Sequence, residues 1–487
     1  MGAARGWHMA RGATPSTSLP RIFNCPRPRT RYCAALKKAA PPLFPPTFFH
    51  PASFVNKVAA RLLVLGAVWA AAAQAQEESR PSLTRQKVVP PIPTDANVKV
   101  GPVLFRFSAA LRTEFVDNVN LANGQNAPIE SDIILSPSLG IDAVWPVTKL
   151  NILRFHTTLG LSKYLSHSQL GTNDILISPD SELRFDIYAG DFKFNLHDQF
   201  SLQEDPVGQG ALSNVSRFGR FINTAGLGVL WDLNDVVVST GFDHTSFTVT
   251  GATTPATNTT QNTSALDRTT DQVSASAVFN VAAAMSAGLE SVASISRYPD
   301  APQNDGTRVS AGPFIQLLLT RYTRIYAAAG YQGTFFDDPN ATSALPAATT
   351  QPIATTTTTT SPNSYYASLT VTHRLNRYYQ DRLSVGHESQ LGLFSQKAET
   401  NYVNYASLWQ LSPVLALSTT FFFEDTIESG AQSSVPYQRF GLSLSTGYRI
   451  TKKLSASVLY QFVEKTSANE AQSYRQNRVG LGVSYQF

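Results

Sequence analysis

From Val103 to the end of the chain, apolar and polar residues alternate one by one in short segments. Successive side chains of a β-strand point to opposite faces, so this pattern predicts strands with one apolar and one polar face. The first segment places Phe105, Phe107 and Leu111 on one face, and the last alternates in the same way through Arg478–Phe487. Counting the segments predicts an all-β chain of about 18 strands, with 16 to 18 compatible with the pattern.

The connections between these segments alternate in length. Gly190-Asp191 and Ser412-Pro413 are short, whereas Glu204–Ser216 and Phe336–Asn363 are long. Short turns at one end and long loops at the other are typical of a single transmembrane antiparallel β-barrel, with periplasmic turns and external loops. The threonine run in Phe336–Asn363 indicates an external loop, and a constriction folded into the lumen is the alternative. A propeller is disfavoured because no blade repeat is present.

Aromatic residues mark the ends of several segments. Trp145, Trp231 and Trp409 each precede a short turn, which predicts a periplasmic aromatic girdle, because amphipathic aromatics prefer the membrane–water boundary. Capping of a soluble core is the alternative. Tyr485 and Phe487 end the last strand, as in the C-terminal signal that outer-membrane barrels present to their assembly machinery.

The N-terminal region differs from the rest in charge. Residues 1–75 hold ten Lys and Arg residues and no acid. Residues 55–75 have a basic start, an apolar run of about 12 residues and an exit at Ala73-Gln74-Ala75, the form of a cleaved secretory signal. That run is too short to span a membrane comfortably. Residues 1–54 are Pro-rich and predict an upstream extension that is not native, or an organelle-type leader.

The remaining boundaries follow from composition. Residues 76–102 predict a flexible periplasmic lead-in, and residues 103–487 the barrel. Ten of the chain's 39 Lys and Arg residues and none of its 34 acids lie in residues 1–75, so the net charge changes from +5 to −5 when these are removed. This argues against nucleic acid as a partner.

Both cysteines, Cys25 and Cys33, also lie in residues 1–75, so the mature chain is expected to have no disulfide.

Charged residues recur on the polar faces of the first strands. In a wide barrel these side chains would line water, where they could set a field across the pore or simply solvate the lumen and pair with each other. The pore-lining candidates are Arg106, Arg112, Glu114, Arg154, His156, Glu182, Arg184, Asp186 and Lys193.

Motifs of catalysis or metal binding are absent from the sequence. It contains no HExxH pattern, no G-x-S-x-G elbow and no P-loop, so we expect no catalytic residue, no metal and no cofactor. Asp117-Asn118-x-Asn120 lacks the spacing of a calcium loop and is interpreted as a turn at a loop entry. An outer-membrane hydrolase, with a site assembled from separate strands, remains an alternative that spacing does not test.

Three segments resemble the β-barrel porin 2 family. They are Thr113–Leu121, Arg449–Gln461 and Tyr474–Phe487. These segments form part of the barrel wall and its turns, and the resemblance transfers no catalytic residue. The resemblance implies a protein of the bacterial outer membrane, and some such barrels are thought to serve polysaccharide export. The expected partners are outer-membrane lipid and lipopolysaccharide, the assembly machinery, and small hydrophilic solutes or polysaccharide.

Two functions are therefore predicted from the sequence. The first is a porin-like channel for passive passage of small hydrophilic solutes, or a conduit for polysaccharide. The second is a non-conducting structural or adhesin-like barrel whose external loops bind a partner. Bulky inward residues and an inserted loop would favour the second, and small inward residues the first.

Overall fold

The computed structural model describes residues 96–487, except 126, 171–173, 254–259, 262, 338–362, 394 and 430–435. The leader, the signal sequence with Ala73 and Ala75, most of the lead-in and most of Phe336–Asn363 lie outside the described residues. The chain divides into two units, residues 1–53 and 54–487, and every described residue belongs to the second.

The described part of the chain is almost entirely β-structure, as the period-2 pattern predicts. The strands are β1 (Val98–Val100), β2 (Val103–Val116), β3 (Asp132–Pro146), β4 (Ile152–Gly160), β5 (Lys163–Tyr164), β6 (Leu176–Ile177), β7 (Glu182–Ala189), β8 (Phe192–Gln203), β9 (Arg217–Asp232), β10 (Val236–Thr253), β11 (Thr260–Gln261), β12 (Arg268–Ala282), β13 (Met285–Arg297), β14 (Gly306–Thr320), β15 (Thr323–Phe336), β16 (Asn363–His373), β17 (Tyr379–Gln390), β18 (Lys397–Ser412), β19 (Leu415–Ser429), β20 (Pro436–Arg449), β21 (Leu454–Ser467) and β22 (Tyr474–Gln486).

The sheet closes on itself. Each long strand pairs antiparallel with the next, and β22 pairs with β2 from Ser108↔Gln486 to Val116↔Arg478. Eighteen strands of the described chain form this ring, and the short strands β1, β5, β6 and β11 extend its rims. A closed ring leaves no edge strand, so every wall strand has a partner on both sides. The sequence prediction of a single 18-stranded antiparallel barrel is confirmed.

The connections sort by barrel end. At one end the wall strands are joined by two to five residues, and at the other by six or more. The turn between β7 and β8 is Gly190-Asp191, where Gly190 has a φ of +60° that suits a residue without a Cβ. The predicted alternation of short turns and long loops is therefore present.

In the described part of the chain, five single-turn 3-10 helices lie in the loops. They are Ser168–Leu170, Pro206–Gly208, Ser264–Leu266, Pro302–Asn304 and Glu470–Gln472. None of the helices in the described ranges has the length and hydropathy that a membrane-spanning helix requires.

The two faces of the wall have opposite character. On β22, Val479, Leu481 and Val483 point outward and are 45–60% exposed, whereas Gly480 and Gly482 point inward. The same alternation puts exposed Leu, Val, Phe and Tyr on the outer face of most wall strands and polar side chains on the inner face. This inside-out distribution is what a lipid-facing barrel needs, because lipid favours apolar side chains and the lumen can hold water.

Candidate functional site

The predicted pore-lining residues lie on four strands of the barrel wall. Arg106, Arg112 and Glu114 belong to β2, Arg154 and His156 to β4, Glu182, Arg184 and Asp186 to β7, and Lys193 to β8. All nine alternate with exposed apolar residues such as Leu111, Leu183 and Phe192, and therefore share the inner face. Cross-strand register brings them together, with His156 opposite Glu182 and Arg154 opposite Arg184.

One charged group joins β2, β3 and β4. The Asp142 carboxylate accepts from Arg106 Nε at 2.9 Å and lies 2.6 Å from His156 Nδ1. The other imidazole nitrogen, Nε2, is 3.1 Å from an oxygen of Asp180. Asp142 and Asp180 were not among the sequence candidates. Asp142 lies on an inner-face position of β3, so the period-2 pattern contained a signal for it.

A second group centres on Asp186, whose residue is buried. Its carboxylate accepts from Arg184 Nε at 3.2 Å, Lys193 Nζ at 3.3 Å and Asn195 Nδ2 at 3.1 Å. Because the Asp186 carboxylate faces the two cations of Arg184 and Lys193, this group has a net positive charge. The two groups together show the mutual ion pairing that the sequence offered as one alternative for the inner charges.

A third pair spans a whole strand. His197 Nε2 on β8 lies 2.9 Å from Asp243 Oδ1 on β10, although β9 runs between them. The residue between them is Gly226, where a Cβ would lie 2.1 Å from Asp243 Oδ1 and 2.6 Å from His197 Nε2. The glycine therefore leaves the space for the contact.

The loop Glu204–Ser216, termed the crossing loop, extends into the lumen and reaches strands that lie five to seven positions from β8 around the ring. It connects β8 to β9, yet its contacts are to inward side chains of β20–β22. Asp205 Oδ2 accepts from Arg478 Nη1 at 2.7 Å, and the carbonyl of Val207 accepts from Arg439 Nη2 at 2.9 Å.

Lys465 on β21 provides a further anchor for the crossing loop. Its Nζ donates to the carbonyls of Ala211 and Leu212 at 3.1 and 3.4 Å and contacts Ser213 Oγ at 3.0 Å. The side chain is one of the most buried in the barrel, with the residue 1% exposed. Ser213 Oγ also donates to the Gln472 carbonyl at 2.6 Å. The loop is thus fixed at both its beginning and its end.

An apolar cluster supports the other side of the crossing loop. Leu212 and Val215 from the loop pack with Phe218 on β9, Phe247 on β10 and Leu266 in the 3-10 helix before β12. Leu393, from the connection between β17 and β18, belongs to the same cluster. Polar contacts to β20–β22 and apolar contacts to the other residues of this cluster hold the loop inside the barrel near its long-loop end.

This arrangement corrects one expectation from the sequence. Glu204–Ser216 was expected to be an external loop, and Phe336–Asn363 was the candidate for insertion; residues 338–362 lie outside the described residues. The missed signal is the apolar content of the crossing loop. Val207, Leu212 and Val215 would be unfavourable in a solvated loop, and each is buried.

The first long loop is also packed inward. Asn118 Nδ2 donates to the carbonyls of Ala122 and Arg475, and Asn120 Nδ2 donates to that of Pro128. The amides of Asp117-Asn118-x-Asn120 therefore satisfy backbone groups, which agrees with the turn interpretation. Within the described ranges, no group of three or more His, Cys, Asp and Glu side chains is placed to hold a metal ion.

The aromatic candidates lie on the outer face. Trp145, Trp231 and Trp409 are exposed and occur near the short-turn ends of β3, β9 and β18. Phe192 stacks on Trp231 with ring centroids 5.4 Å apart. Tyr485 and Phe487 are also exposed, and the Phe487 amide donates to the Phe107 carbonyl at 3.1 Å, beside the β2–β22 seam.

Together these features define a class: a wide, closed β-barrel with an apolar exterior, a charged interior and a loop across the lumen. Solved structures with distant likeness include the outer membrane protein OpdK from Pseudomonas aeruginosa (9% identity, covering 79% of this chain and 99% of that chain, TM-score 0.40). Others are OccK5 (OpdH) from the same organism (8%, 79% and 98%, TM-score 0.41) and Acinetobacter baumannii OccAB3 (8%, 79% and 99%, TM-score 0.40).

No family model matches the chain, and no curated protein matches it. TM-scores near 0.4 at such low identity do not assign the chain to a family. The description of its lumen therefore depends on its own residues.

Proposed function

We propose that the protein is a porin-like channel of the bacterial outer membrane that lets small hydrophilic solutes diffuse passively. The observation that carries the proposal is the charged inner face, which continues over β2, β4, β7 and β8 inside an apolar exterior. Barrels of 16 to 18 strands are wide enough to hold an aqueous channel. Charged side chains in such a lumen keep it hydrated and give polar solutes hydrogen-bonding partners.

The outer membrane follows from the exterior. An apolar face over most of the wall requires lipid, and a closed barrel satisfies every backbone group there. Trp145, Trp231 and Trp409 would form the periplasmic girdle, with lipid and lipopolysaccharide around the wall. Tyr485 and Phe487 would present the terminal signal to the assembly machinery. The resemblance to the β-barrel porin 2 family agrees with this placement.

The crossing loop favours small solutes over a polysaccharide. A solute must pass between this loop and the free part of the wall, and Asp205, Lys465 and Arg439 hold the loop in place. A polymer chain would need a continuous wide path, which the loop interrupts. Near the short-turn end, solutes meet the Asp142 and Asp186 groups, whose paired charges offer both donors and acceptors.

A second function is favoured by one observation. The apolar cluster around Leu212 and Leu266 fills part of the barrel at the level of the crossing loop, as in a barrel that is closed at rest. Such a protein would serve a structural or adhesive role through its loops. The two functions differ in conductance.

Single-channel recording of refolded protein in planar bilayers tests the proposal. We expect discrete current steps from the native chain and larger steps when residues 206–215 are replaced by a short Gly-Ser linker. Steps seen only after this replacement would favour the closed barrel. If neither the native chain nor the variant with the linker gives current steps although both are folded, the channel proposal is wrong.

A further inference from the structure

One side of the outer face carries charged residues where lipid is expected. His244 Nδ1 on β10 lies 2.7 Å from Asp271 Oδ1 on β12, and Arg297 Nη1 on β13 lies 3.4 Å from Asp271 Oδ2. These positions alternate with the inner face and share the outer face with Val273 and Ile295, which are 51% and 44% exposed. The side chains of His244 and Arg297 are themselves 46% and 63% exposed.

A second polar pair lies beside this group. Asn223 Nδ2 on β9 donates to Asp198 Oδ1 on β8 at 2.6 Å. This pair is adjacent to the group around Asp271, because Ala225 on β9 is opposite Asp198 on β8 and opposite His244 on β10. The five residues form one surface, termed the outer polar patch, across β8, β9, β10, β12 and β13. Its members are Asp198, Asn223, His244, Asp271 and Arg297.

The register gives the depth of the outer polar patch. Trp231, near the short-turn end, is opposite Val238, and His244 is six residues further along β10. Six residues span about 20 Å along a strand, or about 15 Å along the barrel axis at a tilt near 40°. The apolar band of such barrels is about 25 Å tall, so His244 lies within it. Asp198 lies six residues from Phe192, which stacks on Trp231, and therefore also lies within the band.

Charged side chains at this depth are destabilising when they face lipid. The opposite side of the barrel is apolar at the same level. There the outer face of β19–β22 carries Phe421, Phe440 and Val458 in the middle of the strands, and its charged residues Asp425 and Glu464 lie nearer the long-loop ends. The two sides of the barrel therefore differ at the level of Asp198 and His244.

The strands next to the outer polar patch have small outward residues. Ala275 and Ala277 on β12, and Ala287, Ser291 and Ala293 on β13, share the outer face with Asp271. Small side chains let two walls approach closely in a membrane. The small residues support an interface only together with the exposed charges, which pair with each other but are unfavourable against lipid.

We propose that the outer polar patch is the contact surface for a second copy of this chain in the membrane. The patch presents two acids, Asp198 and Asp271, together with Arg297 and His244, so it can pair with the same surface of another copy. Lipid headgroups of one sign would leave either the acids or Arg297 opposed to like charge. An interface between copies would remove these groups from lipid and satisfy both signs.

Site-directed cross-linking in native membranes tests this surface. With Cys25→Ser and Cys33→Ser the full chain has no cysteine, so a single new thiol reports its own position. Ser291→Cys lies beside the outer polar patch, and Val458→Cys is the matched control, since both residues are exposed and near the middle of their strands. We expect a thiol cross-linker to give a band of twice the monomer mass from Ser291→Cys and none from Val458→Cys.

Three outcomes would overturn the proposal: equal cross-linking at both positions, no cross-linking at Ser291→Cys, or a product that contains another protein. Native mass spectrometry of the unmodified chain in lipid nanodiscs gives an independent measure. We expect an oligomer that is lost in the triple variant His244→Leu, Asp271→Leu, Arg297→Leu, with the barrel band on unheated gels retained. A monomer in the unmodified chain would contradict the interface.

Discussion

His197 and Asp243 lie 2.9 Å apart across an intervening strand, through the space left by Gly226. In most sheets side chains two strands apart do not meet, because the strand between them fills the gap. The pair links β8 to β10 on the inner wall and joins the charged group of Asp186, through Asn195, to the middle of the barrel. The contact depends on a single missing Cβ.

We therefore expect Gly226→Ala to separate this pair. The new Cβ would meet the ends of two flexible side chains, which can turn away, so the expected loss is that of one hydrogen bond, about 1 kcal/mol. Gly228→Ala is the matched control, because its Cβ would lie 3.8 Å from the nearest atom. Urea unfolding of the refolded barrel measures both. Equal stability of the two variants would show that the pair contributes little.

Lys465→Met should loosen the crossing loop. The substitution removes the donor to the Ala211 and Leu212 carbonyls, and a buried carbonyl without a partner costs about 1–3 kcal/mol. The loop should then fluctuate, and single-channel current should become larger and noisier than in the native chain. Lys193→Met controls for the loss of an inner-wall charge. Unchanged current in Lys465→Met would mean that the loop is fixed by its other contacts.

The attachment of the crossing loop should weaken in acid. Burial raises the pKa of Asp205, but Arg478 and the Val207 amide lower it, and the result lies below the ordinary value of 3.8. A group with a lowered pKa in the folded state contributes stability above its ordinary pKa and loses it as the pH falls through the lowered value. We expect constant current noise from pH 7 to about 4 and an increase at lower pH.

Asp205→Asn should reproduce this loosening at neutral pH. The amide cannot balance the buried Arg478, which remains in place. Asp174→Asn, a change at an exposed carboxylate near Arg217, is the control. If Asp205→Asn keeps the native noise and the native response to acid, another group controls the loop.

Neutralising inner arginines should change ion selectivity. Arg106, Arg112 and Arg184 each face a carboxylate, so their replacement by glutamine leaves Asp142, Glu114 and Asp186 less compensated. We expect the reversal potential in a salt gradient to move toward cation selectivity. Arg321→Gln, in the short turn after β14, is the control. An unchanged potential would restrict the inner charges to a structural role.

The proposed girdle can be located by fluorescence. Residues 76–487 contain three tryptophans, Trp145, Trp231 and Trp409, so emission of the mature barrel would report only these positions. Lipids brominated near the headgroup should quench them more strongly than lipids brominated near the chain ends. Stronger quenching from the chain ends would place them inside the bilayer.

The sequence predicted the wall because strand faces depend on local alternation. Period 2 identified 18 strands and put residues such as Arg106 and Lys193 on the inner face without any knowledge of their partners. It did not reveal which residues meet across strands. The contact between His197 and Asp243 depends on register and on a glycine in a third strand, and neither can be read from spacing along the chain.

The crossing loop shows a second limit. Its position depends on Lys465, Arg439 and Arg478, which are more than 200 residues away in sequence. Length and polarity suggested an external loop, and only its apolar residues hinted otherwise. The outer polar patch is an intermediate case, because alternation places His244 and Asp271 outward, whereas their pairing needs the register of β10 and β12.

The seam between β2 and β22 also constrains how the molecule is made. The ring is complete only when the last strand reaches the first, more than 350 residues earlier. Closing so long a loop is slow compared with forming neighbouring hairpins. Until then both seam strands have free edges that could pair with other chains. Neighbouring hairpins can form before the ring closes, but the edges of β2 and β22 need protection from other chains until the last strand is in place.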